Sequence, residues 1–246
     1  MMDPSRLKEL GLLPLWRARP EAVIDQSPSL TEITPIDFEV QDKENNQNDD
    51  RLTRISEMNW EQLKQAVAVC TACPLYQARK HTAFGVGDET ASWLFIGEGP
   101  GAREDELGEP FVGQAGKLLD NMLLAIGLKR DQFVYIANIV KCRPPGNRNP
   151  QHTEAEQCRP YLLRQIALVQ PSLIVALGKV AAQNLLTTGD SIASLRGKLH
   201  DFAGIPLIVT YHPAYLLRTL ADKAKAWEDL CFAKATMQAL QARSKD

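Results

Sequence analysis

Four short apolar runs, Trp93–Gly97, Phe133–Ala137, Leu173–Leu177 and Pro206–Thr210, limit what this chain can become. Each has the length of one strand, and each is almost continuously apolar rather than alternating. A strand with one wet face alternates, whereas a parallel strand covered on both faces does not. The stretches between them carry helical spacing, notably Gly116–Ile126, Thr153–Val169 and Val180–Leu186. Strands alternating with helices predict an α/β domain built on a parallel sheet. In such a sheet, ligands bind beyond the carboxyl ends of the strands. The least ordinary local sequences fall there: GEGPG after the first run, NIVKCRPP after the second and YHPAYLLR after the fourth. Three loops are thereby predicted to form one site.

A chain of 246 residues, 44% of them hydrophobic, has room for one sizeable domain with appendages. No stretch approaches the roughly 18 uninterrupted apolar residues of a membrane span. The first twenty residues lack the order of a secretory signal, so a cytoplasmic protein is expected. Three parts are predicted. Residues 1–20 read as a short amphipathic helix, with Leu7, Leu10 and Leu13 ahead of Trp16. Residues 21–57 read as an acidic disordered linker, because nine acids between 21 and 50 face Lys43 alone. Such a segment buries too little apolar surface to offset the entropy of ordering it. Residues 58–246 form the packed domain, which opens with a helix over Trp60–Val69. The formal charge of −2 hides this division, since the domain itself is mildly basic and compatible with a phosphate backbone.

Cys70 and Cys73 stand as C-x2-C at the end of a helix, and Cys142 and Cys158 lie far downstream. In a reducing compartment, five cysteines argue for a metal rather than disulfides. Two joined pairs make an S4 set suited to zinc or to an iron–sulfur cluster, and spacing does not separate the two. Cys231, in a helix-like segment near the C-terminus, reads as a core thiol.

Five segments then occur in order: CTACPL from Cys70, FIGEGPGAREDELGEPFVGQAGKLLD from Phe95, YIANIVKCRPPGNRNP from Tyr135, CRPYL from Cys158 and YHPAYLLR from Tyr211. Together they resemble the family 4 uracil-DNA glycosylases, the iron–sulfur type. The resemblance implies an α/β three-layer sandwich with a central four-stranded parallel sheet. It implies a [4Fe-4S] cluster on Cys70, Cys73, Cys142 and Cys158, which tips the metal towards iron. It also implies hydrolysis of the N-glycosidic bond of flipped-out uracil in DNA, carried out by a monomer.

Each motif residue has a chemical reading beside that resemblance. Asn138 offers one donor and one acceptor to the Watson–Crick edge of uracil, and Phe111 matches the residue that stacks on the extruded ring. His212 matches the family histidine that hydrogen-bonds a uracil carbonyl. Glu98 is the expected carboxylate for the water, although other glycosylase families place an Asp where this chain has Gly99; Glu104 and Asp105 are nearby alternatives. Gly97 and Gly99 let backbone approach the ligand. GEGPG is a poor phosphate loop, because it has no lysine and Pro100 lacks an amide. Leu217 and Arg218 match a wedge and a phosphate anchor, with Ala214 where the family commonly has Ser. Lys141, Arg143, Arg148 and Arg159 crowd the cysteines, so the cluster is expected to brace a basic DNA-facing loop.

Other classes fit less well. A zinc hydrolase or deaminase needs histidine ligands, and His81, His152, His200 and His212 show no ligand spacing. A family member that captures the sugar covalently on an inserted histidine loop is disfavoured, since KCRPPGNRNP has no such insertion. A non-catalytic DNA-binding module predicts damaged pocket residues, yet all are present. The segment LKELGLLPLWRARP, from Leu7, resembles the peptide by which the psi subunit of the bacterial replicative polymerase's clamp loader grips the chi subunit. A helix with a Trp anchor on a leash is a familiar binding arrangement. The full chain is expected to retain chi in a pull-down, and a chain without residues 1–20 to lose it.

Overall fold

The computed structural model of the chain describes residues 50–243. The expected helix and chi-binding peptide at 1–20 lie outside the described residues, as does the linker as far as residue 49. The last part of the expected linker is instead helical: residues 50–57 form α1. Its Ile55 is buried in the core, and Arg51 Nη2 donates to Gln157 O at 2.7 Å. Packing therefore begins before residue 58, because an apolar anchor and an arginine outweigh the acidic composition.

Helix α2, Trp60–Ala68, starts at a reciprocal cap in which Asn59 Oδ1 accepts from Gln62 N and Gln62 Oε1 accepts from Asn59 N. This satisfies two amides that the first turn would leave bare. The strands are β1 (Val86–Gly87), β2 (Trp93–Gly97), β3 (Val134–Asn138), β4 (Leu173–Leu177), β5 (Leu199–Phe202) and β6 (Ile205–Thr210). Between and after them come α3 (Ala102–Leu107), α4 (Gln114–Ala125), α5 (His152–Val169), α6 (Lys179–Leu186), α7 (Ile192–Leu195), α8 (Pro213–Leu216) and α9 (Lys223–Arg243).

The sheet order is β1-β3-β2-β4-β6-β5. The four apolar runs form its parallel centre, but the expected four-stranded sheet is corrected to six strands. β1 joins β3 and β5 joins β6, both antiparallel. Neither edge carries a continuous apolar run: β1 has two residues, and β5 has only Phe202 buried. β5 and β6 form a tight hairpin through Ala203 and Gly204, both at positive φ (51° and 84°), as two-residue hairpin turns require.

Every residue of β2, β3 and β4 is buried, and neighbours along each strand enter different cores. Leu94, Ile96, Ile174 and Ala176 pack with α2 and α5 through Leu63, Val67, Leu162 and Ile166. Phe95, Ile136, Val175 and Ile208 pack with α4 and α9 through Leu119, Leu123, Leu230 and Met237. Helix layers on both faces make a three-layer sandwich. Cys231, expected as a core thiol, is exposed on α9. Among the described residues, no helix is long and apolar enough to cross a membrane.

Candidate active site

The strand order reverses between β2 and β4, and a crevice opens where their carboxyl ends part. A cavity of about 730 Å³ occupies it. Glu98, Gly99, Pro100 and Gly101 line it from the loop after β2, and Asn138 from the end of β3. Gly178 and Lys179 follow β4, and Tyr211, His212, Ala214, Tyr215 and Arg218 follow β6. The expected convergence of three loops therefore holds.

Gly97 and Asn138 are register partners across β2 and β3. A β-carbon on Gly97 would stand 2.5 Å from Asn138 Oδ1 and 2.5 Å from Phe111 Cζ. Glycine is required so that the amide and the ring can meet over the strand end. Gly97 is not among the residues that line the cavity; its missing β-carbon leaves room for Asn138 and Phe111. The Phe111 and His212 rings lie 5.6 Å apart at 30°. Amide, phenyl and imidazole thus face one space.

Asn138 is 1% exposed, and its Oδ1 has no hydrogen-bond partner among the described residues. A buried, unsatisfied acceptor costs about 1–3 kcal/mol.

His212 caps α8: its Nδ1 accepts from Ala214 N at 3.1 Å. The proton of the neutral ring then sits on Nε2. Burial pushes the pKa of His212 down to about 4, helped by the Arg218 charge and opposed by Glu104. The imidazole is neutral at physiological pH. Gly178, at φ +91°, makes room for it, since a β-carbon there would lie 2.7 Å from His212 Cβ.

The acids separate by their partners. Glu98 is half-buried, its carboxylate has no hydrogen bond or ion pair among the described residues, and burial pushes its pKa up. Glu104 also lines the cavity, but Oε1 accepts from Val112 N and Gly113 N and Oε2 from Gly101 N. It binds the GEGPG loop to the loop of Phe111. Asp105 is buried away from the cavity, where it accepts from Lys80 N. Of the three expected candidates, only Glu98 keeps an uncommitted carboxylate.

Leu217 is 43% exposed and Arg218 is exposed at the cavity mouth. Arg148, also lining the cavity, pairs through both Nη atoms with buried Glu154, at 2.8 and 2.7 Å. That pair fastens the loop after Cys142 to α5, and Arg148 holds the Glu154 carboxyl below its usual range. Lys141 and Arg159 are not among the residues that line the cleft. Lys141 is fully buried and donates to Asn138 O at 2.9 Å, while Arg159 donates to Asn184 O.

Cys70, Cys73, Cys142 and Cys158 surround a second, much smaller cavity with Arg79, Lys141 and Tyr161. Arg79 Nη1 donates to Cys142 Sγ at 3.1 Å and to Cys70 O at 2.8 Å. Burial pushes the Cys73 and Cys142 thiols up and Cys158 to about 12. Thiols so desolvated lose their protons when a cation takes their place. Among the described residues, no group of three or more His, Cys, Asp or Glu side chains is arranged for a single metal ion. Arg79 and Lys141 bring positive charge beside the four thiols.

Fold and site define an α/β protein with an amide, an aromatic ring and a neutral histidine gathered in a strand-end cleft. Residues 84–231 match the Uracil DNA glycosylase superfamily, and the chain belongs to it. A type-4 uracil-DNA glycosylase of Pyrobaculum aerophilum is 40% identical over 181 residues, covering 70% of this chain and 92% of that protein. The type-4 enzyme of Archaeoglobus fulgidus is 44% identical over 156 residues, covering 60% and 78%. That of Thermotoga maritima is 42% identical over 165 residues, covering 66% and 85%.

The depressed pKa of His212 has a consequence for stability. The unfolded chain takes up this proton near pH 6.5 and the folded chain only near 4. Stability is therefore complete above about 6.5 and falls as the pH drops towards 4. His212→Asn, whose Oδ1 can cap in place of Nδ1, is expected to reduce the fall in melting temperature across that window.

Proposed function

We propose that the cleft receives one uracil swung out of a DNA strand and holds it while water cleaves the N-glycosidic bond. The protein is a uracil-DNA glycosylase, a hydrolase of DNA repair. A base inside a duplex is out of reach, so it must leave the stack.

The observation that carries this reading is the Oδ1 of buried Asn138, which has no partner among the described residues and stands beside Phe111 and His212 at the cleft. Uracil presents N3–H to that oxygen and a carbonyl to the amide nitrogen of the same side chain. Cytosine presents a lone pair at N3, which would face the Oδ1 lone pairs. Phe111 supplies the stacking face. Nε2–H of neutral His212 donates to the uracil carbonyl on which negative charge grows as the bond breaks. A neutral donor is enough, because a leaving anion in a dry site is strongly stabilised by one fixed hydrogen bond.

Glu98 handles the water. The water oxygen bonds to C1′ of the sugar, and the C1′–N1 electron pair departs with uracil. The surplus proton passes to the Glu98 carboxylate. Leu217 fills the gap in the stack, and Arg218 holds a flanking phosphate.

Cys70, Cys73, Cys142 and Cys158 are the residues that would hold a [4Fe-4S] cluster. The group would supply four metal–thiolate bonds that tie the end of α2 to both ends of the loop 143–151. Pro144, Asn147, Arg148 and Asn149 of that loop line the uracil cleft. The role of the cluster is therefore to hold the rim.

On a uracil-containing oligonucleotide, Asn138→Ala and His212→Ala are each expected to cleave about 10²–10³-fold more slowly than wild type, the usual effect of removing one transition-state donor. Equal rates for all three proteins would remove the site as drawn. Purified protein is expected to be brown with broad iron–sulfur absorbance, and Cys142→Ala to lose both colour and bound iron.

A further inference from the structure

Phe111 stands at φ +57°, in the left-handed region that residues with a β-carbon enter only when their surroundings hold them there. It does so at the point where its ring reaches over Gly97 to meet Asn138 and His212. Something must keep the backbone in that state when no base is bound.

Arg130, on the turn before β3, touches this backbone from behind. Its Nη2 donates to Phe111 O at 2.8 Å and its Nη1 to Pro110 O at 3.2 Å. Its Nε donates to Asp120 Oδ1 of α4 at 2.9 Å, which sets the plane of the guanidinium. The side chain is 16% exposed and does not line the cleft. From the other direction, Glu104 accepts the amides of Val112 and Gly113. α4 closes the remaining side, for a β-carbon on Gly116 would lie 1.7 Å from Phe111 O.

We propose that Arg130 is a positioning residue for uracil excision, holding Phe111 in its left-handed conformation so that the ring is set for stacking before the base arrives. The inference rests on the stacking role given to Phe111 above. A guanidinium suits the task because its donors form a rigid planar fork, and three of them are used here at once. A lysine ammonium has no such plane and would reach one carbonyl or the carboxylate in turn. Without the fork, the residue relaxes towards ordinary φ and the ring swings off its axis. Misplacement by about 1 Å is enough to cost about 10²-fold in rate.

The test is a double-mutant cycle on the full-length protein with Arg130→Met and Phe111→Ala, read by kcat/KM on a uracil oligonucleotide and by inhibition with free uracil. Arg130→Met is expected to lower kcat/KM by about 10–10²-fold. It is also expected to weaken inhibition by free uracil, which a general loss of folded protein would leave unchanged. Arg130→Lys is expected to fall between. In the Phe111→Ala background, Arg130→Met is expected to add almost nothing, since its route to the base is gone. An equal loss in both backgrounds, or an unaffected Arg130→Met, overturns the proposal. If Phe111→Ala alone cleaves like wild type, the stacking role itself fails, and with it any positioning through that ring. Should Arg130→Met not fold, the same cycle with Arg130→Lys decides by the same outcomes.

Discussion

Every side chain of the cleft depends on parallel strands that are buried on both faces and end along one edge of the sheet. Burial leaves those strands no freedom to slide, because a slip of one residue would exchange the contents of the two cores. The pairing of Gly97 with Asn138 is therefore fixed by Leu94, Phe95, Ile96, Ile136 and Ala137 deeper in the sheet. The Asn138 amide inherits its position from apolar packing. The ladder continues past the strands, as Ile139 N donates to Gly97 O and Val140 N to Glu98 O, so the first loop residues share this rigidity.

A rigid edge permits a costly site. Among the described residues, Asn138 leaves an acceptor unsatisfied and Glu98 an unpaired carboxylate, while His212 is held neutral and Phe111 sits at positive φ. The last alone costs about 1–2 kcal/mol. Together these are a sizeable share of the roughly 5–15 kcal/mol by which a domain is stable. The offsetting interactions lie just outside the cleft: Glu104 with three amides, Arg148 with Glu154, and Arg130 with two carbonyls.

The acids show how partners decide chemistry. Glu98, Glu104 and Asp105 lie within eight residues and are alike in type. One has its carboxylate filled by amides, one caps a neighbouring turn, and one is left facing the cavity. Of the three, Glu98 alone has a carboxylate with no partner among the described residues.

The sequence by itself determined the parallel centre of the sheet, the three loops at its edge and the motif residues Glu98, Phe111, Asn138, His212 and the four cysteines. Continuous apolar runs and clustered motifs are local signals, and they survive without coordinates. It did not reveal the two edge strands, whose short and partly exposed segments lack any period. Nor did it reveal the helix at 50–57, masked by acidic neighbours, or the exposure of Cys231. Only the tertiary structure decided which acid stays free, that Lys141 turns inward, that Gly178 clears space for His212, and that Arg130 grips Phe111. Gly178 with His212 and Arg130 with Phe111 join residues distant in the chain, and burial and hydrogen-bond partnership are properties of the assembled surroundings.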